Sequence, residues 1–258
     1  MEWRQAFAYR ADFWLQFGFS LFSTLGVAYF LWRSVFNARG VESLQGYSFQ
    51  AMMLYYCMVP LIDRLNRGYD NFTFSGEIYD GTLTRVLMYP VPALSFKLAG
   101  VFAKSALSVM QFLLGLALFT LVFGWPAEIK ISVSAILMSL SLCLLVSVTY
   151  FALASMVEMV AFWADNVWSL MVMLRFFIQI FSGGLIPLEF FPSWARSALD
   201  WTIFPYVIAR PIRLLLGYDG LREWGFAMLV VLIWLGALSW MMGLVWRAGL
   251  RRYSGVGI

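Results

Sequence analysis

Residues 131–157 read ISVSAILMSLSLCLLVSVTYFALASMV, a run without a charged residue, bounded by Lys130 and Glu158. About 20 apolar residues at ~1.5 Å rise cross the ~30 Å hydrocarbon core of a bilayer as a helix, so this run is long enough to span. It is continuous rather than alternating, which argues for a helix and against a barrel strand. Working outward, the same test picks out residues 13–32, 43–62, 105–127, 166–188 (interrupted only by Arg175) and 224–246. The reading is therefore all-α and membrane-integral, one transmembrane domain over residues 1–258 with six spans. Gly124-Trp125-Pro126 between the third and fourth predicts a tight helical hairpin.

Composition agrees. Hydrophobic residues make up 62% and charged residues 12%, against about 45–50% and about 25% in soluble domains. Histidine is absent, which excludes Ser-His and Cys-His catalytic pairs, a histidine zinc site and bis-histidine haem. Cys57 and Cys143 lie in separate apolar runs, too few for a disulfide framework or a four-thiolate metal site. The net charge of +4 comes with no basic cluster, so nucleic acid is not an expected partner. An even number of spans puts both termini on one side. With that side cytoplasmic, ten Arg and Lys lie inside and seven outside, Arg247, Arg251 and Arg252 being the clearest inner group.

No phosphate-binding loop is present. Gly100-Val101-Phe102-Ala103-Lys104-Ser105 lacks the second glycine and opens an apolar span. Acids sit at span edges rather than within spans, unlike ion-coupled carriers. The chain therefore reads as neither an enzyme nor a cofactor binder, and any active transport would draw its energy from another chain.

The segments between spans carry the remaining signal. Trp3, Ala6, Phe7, Ala11 and Trp14 share one helical face, which predicts an interfacial helix over residues 1–12, retained rather than cleaved. Residues 63–97 form the longest inner loop. Within it, 77–88 predicts a short helix that Pro90 ends, suited either to docking a soluble partner or to ordinary connection. Ser182-Gly183-Gly184 and Pro187 break the fifth span, and the aromatic, proline-rich stretch 182–219 predicts short helices at the outer interface that cap the bundle or dip back into it. Arg175 lies about 15 Å into the fifth span, with Gln179 one turn away. A charge at that depth faces a polar path, a subunit interface or a structural partner. Met52, Met53, Tyr55, Tyr56, Phe176, Phe177 and Phe181 form aromatic and methionine clusters that line a path for amphiphiles or simply pack helices.

Three motifs bring these features together. Gly81-Thr82-Leu83 through Leu87-Met88-Tyr89-Pro90 resembles a G-x-L … LL-x-P stretch after a second span. Residues 182–192, SGGLIPLEFFP, resemble a GG-x-x-x-P-x-x-x-x-P segment after a fifth. The tail at 249–257 reads GLRRYSGVG. With the order of spans, this resembles the ABC-2 superfamily of ABC exporter permeases over essentially the whole chain.

The resemblance implies an ATP-driven exporter in a bacterial inner membrane, carrying a drug, lipid, glycan or peptide. It implies two cytoplasmic ATPase subunits, which hold the ATP and Mg, and a second permease, identical or related, in contact with membrane lipid. Glu77, Ile78, Tyr79, Asp80, Gly81, Leu83 and Arg85 would then belong to a coupling helix, and Phe162 and Trp163 to a second ATPase contact. Met52, Tyr55, Tyr56, Arg175, Phe176 and Gln179 would lie on the substrate path or permease interface. Gly183, Gly184, Pro187, Glu189 and Pro192 would belong to an outer re-entrant segment. The competing classes are a stand-alone secondary transporter or channel, for which Arg175 speaks, and a membrane scaffold without transport.

Overall fold

A computed structural model describes residues 10–67 and 73–253. The interfacial helix predicted over residues 1–12 lies almost entirely outside them. The elements in order are α1 (Arg10–Arg39), β1 (Ser43–Leu44), β2 (Tyr47–Ser48), α2 (Phe49–Arg67), α3 (Thr73–Tyr79), α4 (Leu83–Leu87), α5 (Ala93–Phe123), α6 (Val133–Glu158), α7 (Trp168–Phe181), α8 (Ser193–Leu199), α9 (Phe204–Val207), α10 (Ala209–Leu215) and α11 (Leu221–Arg252), with 3-10 turns at Met159–Phe162 and Leu188–Phe190. Among the described residues, four helical stretches are long and apolar enough to cross a membrane: Trp14–Arg39, Ala93–Phe123, Val133–Phe162 and Leu221–Arg252. The chain is an α-helical, multi-pass membrane protein.

α2 is the axis of the bundle. Ala51 to Ile62 are buried almost without exception, enclosed by α1, α5, α6 and α10. It contains Pro60 and carries Asp63, Arg64 and Arg67 in its last turns, so its composition is less apolar than that of the four long helices. A helix sheathed by protein on every side need not be apolar all along its length. Its charges are bound inside the bundle. Arg67 pairs with Asp63 one turn earlier, Arg64 Nη1 donates to Gln111 Oε1 on α5 at 3.0 Å, and Asn66 Nδ2 donates to the Val207 carbonyl at 2.6 Å.

Several expected boundaries move. The second predicted span began at residue 43, but 43–48 form a β-hairpin in which Ser43 faces Ser48 and Leu44 faces Tyr47. Gln45 and Gly46 both take positive φ, 52° and 87°, as a two-residue type I′ turn requires, so α2 starts only at Phe49. The third predicted span began at residue 105, whereas α5 starts at Ala93, directly after Pro92, and runs for 31 residues. Lys97 did not end the helix, because its charge is met by Glu77 and its ammonium lies over the Phe74 ring. The turn at 124–126 is the start of a longer connection to α6, whose first turn is capped by Ser132 Oγ accepting from the Ala135 amide at 3.1 Å. The helix predicted over 77–88 is two short helices, α3 and α4, parted at Gly81 with φ +70°.

The two ends of the bundle are built differently. At the end where α11 begins lie the hairpin, the α5–α6 connection and α8 to α10. At the end where α11 finishes lie α3, α4 and the Met159–Phe162 turn.

Candidate functional site

At the finishing end of α11, an apolar cluster forms from segments far apart in sequence. Phe74, Leu83, Val86, Ala93, Met159 and Phe162 are buried together, with Trp246 and Leu250 of α11 and Tyr253 just after it packed on them. Trp246 meets Phe74 and Phe162 edge-on at centroid distances of 5.9 and 6.1 Å. The polar contacts fix this module in place. The Glu158 carboxylate accepts from the Phe74 and Ser75 amides at 2.7 and 3.3 Å, filling two of the open donors at the start of α3. Lys97 pairs with Glu77 at 2.7 Å and lies 4.5 Å from the Phe74 ring centre. The Tyr253 hydroxyl donates to the Gly81 carbonyl at 2.7 Å and lies 3.2 Å from Thr84 Oγ1.

The residues singled out at this end divide by exposure. Leu83 and Phe162 are buried; Glu77, Ile78 and Gly81 are half-buried; Tyr79, Asp80, Arg85 and Trp163 are exposed. The Tyr79 hydroxyl donates to the Ala164 carbonyl at 3.1 Å, so α3 and the turn after α6 stand side by side although these two residues are 85 apart in sequence. Burial holds the Tyr79 hydroxyl above the ordinary tyrosine pKa. The exposed edge continues through Leu87, Met88, Tyr89 and Val91.

The other end is closed by charge. Asp219 is 3% exposed and takes both arginines of α10: Arg213 Nε and Nη2 at 3.0 and 2.8 Å on Oδ1, Arg210 Nη1 at 3.1 Å on Oδ2. Arg213 also pairs with Glu189 and lies 3.4 Å from the Tyr47 hydroxyl. Arg210 reaches Asp200 at 2.6 Å. Burial opposes the Arg213 charge, but hydrogen bonds and charge from Asp219, then Glu189, outweigh it and raise its pKa. This chain of ion pairs ties the α7–α8 loop, the α8–α9 turn, α10, the approach to α11 and, through Tyr47, the hairpin before α2. The sequence places Glu189 in the segment expected to be broken, whereas Arg210 and Arg213 enter only as two of the seven basic residues assigned to the outer side. The available signal was their spacing of three on a helix, with an acid just past the Gly217 turn.

The broken helix is held by the same core. α7 ends at Phe181, and Gly183 turns the chain at φ +84°. A side chain there would meet the Tyr55 hydroxyl at 2.8 Å and Ala209 Cβ at 2.9 Å. Tyr55 donates to the Gly183 carbonyl at 2.8 Å and Tyr56 to that of Leu185 at 2.9 Å, and the Ala209 amide donates to the Ser182 carbonyl at 2.9 Å. The Gln179 side chain fills the space beside Gly184. Pro187 precedes the Leu188–Phe190 turn, and Pro192 opens α8.

Met52 and Tyr55 are wholly buried and Tyr56 nearly so. They pack in the core cluster with Met53. Arg175 is half-buried and Phe176 exposed, so α7 is the member of this group that presents a surface.

Comparison with known proteins gives one finding. A family model described as ABC-2 family transporter protein matches residues 22–257. No curated protein matches the chain, and no solved structure does.

Proposed function

The chain belongs to the ABC-2 transporter family, and from that premise we propose that it is the permease of an ATP-driven exporter. As an ABC-2 type permease subunit it associates with ABC ATPase partners. The finer reading is two cytoplasmic ATPase subunits, which bind ATP and Mg, and a second permease, identical or related. The permease itself catalyses nothing and binds no cofactor. Its cargo is an amphiphilic or hydrophobic molecule of the drug, lipid, glycan or peptide classes, moved outward across a bacterial inner membrane.

Six spans follow if α2 and α7 also cross. α2, at 19 residues, measures about 28 Å, close to the ~30 Å core thickness. α7 is shorter and is continued by the Gly183 turn. Residues 182–219 then form the outer re-entrant segment. Trp234 Nε1 on α11 donates to the Trp201 carbonyl at 2.9 Å, and this point lies roughly 20 Å along the helix from its start. The end carrying Tyr253 is cytoplasmic, and so are both termini.

One observation carries the coupling role: the edge formed by Tyr79, Asp80, Arg85 and Trp163 is exposed while its underside is bolted to α5, α6 and α11. A force applied to such an edge reaches three long helices, and ATPase closure becomes a change at the permease interface. Arg175 and Phe176 on α7 are the residues placed to meet substrate or the second permease.

The test is Asp80→Lys with Arg85→Glu in the complex purified by gentle detergent extraction. Both side chains are exposed and make no ion pair among the described residues, so the fold is spared. The ATPase is expected to co-purify while substrate transport falls at least ten-fold and ATP hydrolysis persists. Unchanged transport would remove the coupling assignment, and failure of any ATPase to co-purify with the wild-type chain would remove the exporter reading.

A further inference from the structure

Beside the ion-pair chain lies a cleft of 290 Å³, lined by Leu188, Glu189, Ser193, Arg196, Ser197, Leu199, Asp200, Arg210 and Arg213. We infer that it binds the headgroup of a zwitterionic phospholipid, one bearing a phosphate and a primary ammonium. The floor of the cleft is already balanced. Arg210 and Arg213 are spent on Asp219, Asp200 and Glu189. Glu189 and Asp200 each give one carboxylate oxygen to an arginine, and the other has no protein donor among the described residues. The wall is α8, where Ser193, Arg196 and Ser197 share one face at spacings of three and four. Arg196 is exposed and makes no ion pair among the described residues.

The wall therefore offers a guanidinium and two hydroxyls, the donor set for a phosphate, and the floor offers carboxylate oxygens for an ammonium. The lining sets Arg196, Arg210 and Arg213 against Glu189 and Asp200, and the buried Asp219 behind Arg210 and Arg213 offsets the third positive charge. A purely anionic ligand would face two carboxylates, and a purely cationic one would face the unspent Arg196. At 290 Å³ the cleft sits at the lower end of small-molecule sites, which run about 300–1,000 Å³, a size for a headgroup rather than for acyl chains. Those chains have a place to go. Trp194 on α8 and Trp201 just after it are 76% and 63% exposed, and exposed tryptophans favour the boundary between headgroups and hydrocarbon. Trp201 packs edge-on against Phe226 at 5.4 Å, on a helix apolar enough to span. The polar cleft thus opens beside a lipid-facing surface, which favours a lipid over a free solute.

The site needs no ATPase, so its test is independent of the exporter reading. The detergent-purified full chain, with whatever co-purifies, is titrated with short-chain phosphatidylethanolamine, and bound lipid is counted by native mass spectrometry. One lipid per chain is expected to bind, with affinity reduced at least ten-fold in Ser193→Ala/Arg196→Ala/Ser197→Ala and largely restored when Arg196 is replaced by Lys alone. Phosphatidylglycerol, which lacks the ammonium, and phosphatidylcholine, whose ammonium cannot donate, are expected to bind at least ten-fold more weakly. Equal binding by the wild type and the triple variant overturns the site. Equal binding of the three lipids overturns its chemistry. Free O-phosphoethanolamine binding as tightly as the lipid overturns the lipid source.

Discussion

Gly249 is the residue on which the apolar module at the finishing end of α11 closes. It lies on α11 one turn before Tyr253, the residue just past that helix, and a Cβ there would overlap the ring of Phe162. No rotation of the ring alone clears its near edge, because the ring is also held between Trp246 and Tyr253 at centroid distances of 6.1 Å. Gly249→Ala is therefore an overpacking change despite its size, with an expected cost of about 1–3 kcal/mol. The intrinsic helix preference of alanine over glycine, worth about 1 kcal/mol, acts in the opposite direction, so the sign of the result tests the contact itself. In a Phe162→Ala background the overlap vanishes and only the helix preference remains. Equilibrium unfolding of the four chains should show Gly249→Ala destabilising the wild type and stabilising the Phe162→Ala variant. The same sign in both backgrounds would deny that the ring and the glycine touch.

At the scale of elements, α3 depends on Glu158. Seven residues are too few for a helix to hold itself, and two of its first amides end on this one carboxylate. Glu158→Gln keeps the shape but removes the charge that favours a helix start. The expected loss is about 1 kcal/mol, concentrated locally: amide exchange in residues 74–79 should quicken several-fold while α5 and α11 are unaffected. Uniform quickening would mean that Glu158 supports the whole bundle rather than α3.

In the sequence Glu158 is only the charge that ends an apolar run, and its role illustrates what was legible. Long uncharged runs located α1, α5, α6 and α11, since burial in lipid demands a composition that nothing else requires. The break after Phe181 was legible from Ser182-Gly183-Gly184, because few other residues tolerate the Gly183 backbone. The hairpin at 43–48 was missed because Tyr47 and Leu44 read as apolar span residues, although Gly46 was the available sign of a turn. The two-helix form of α3 and α4 was missed because the stop was read at Pro90 alone, whereas Gly81, inside the expected helix, takes positive φ and ends α3. Partners across the fold, such as Tyr253 with Gly81 or Arg213 with Tyr47, depend on chain crossings that no local pattern encodes.

On the scale of the whole molecule, the two ends are held by different forces. The end where α11 begins rests on charge, with Asp219 receiving both arginines away from solvent. The end where α11 finishes rests on packing, with Trp246 wedged between Phe74 and Phe162. Asp219→Asn leaves Arg210 and Arg213 with one fewer neutralising charge in a buried site, and breaking such a pair from one side costs about 3–5 kcal/mol. Trp246→Ala opens a cavity in the apolar cluster; with the indole only part-buried, about 2–4 kcal/mol is expected. The two sites lie roughly 35 Å apart along α11 and share no side-chain partner, so their effects should add to within about 0.5 kcal/mol in a folded bundle that unfolds as one unit. Denaturant titration of both single variants and the double variant measures this directly. A double variant markedly less stable than the sum, or one more stable than it, would mean that α11 carries strain between the ends even at rest. Additivity would mean that the resting bundle holds each end separately, so that any coupling between them has to come from a displacement of the bundle rather than from strain stored in α11.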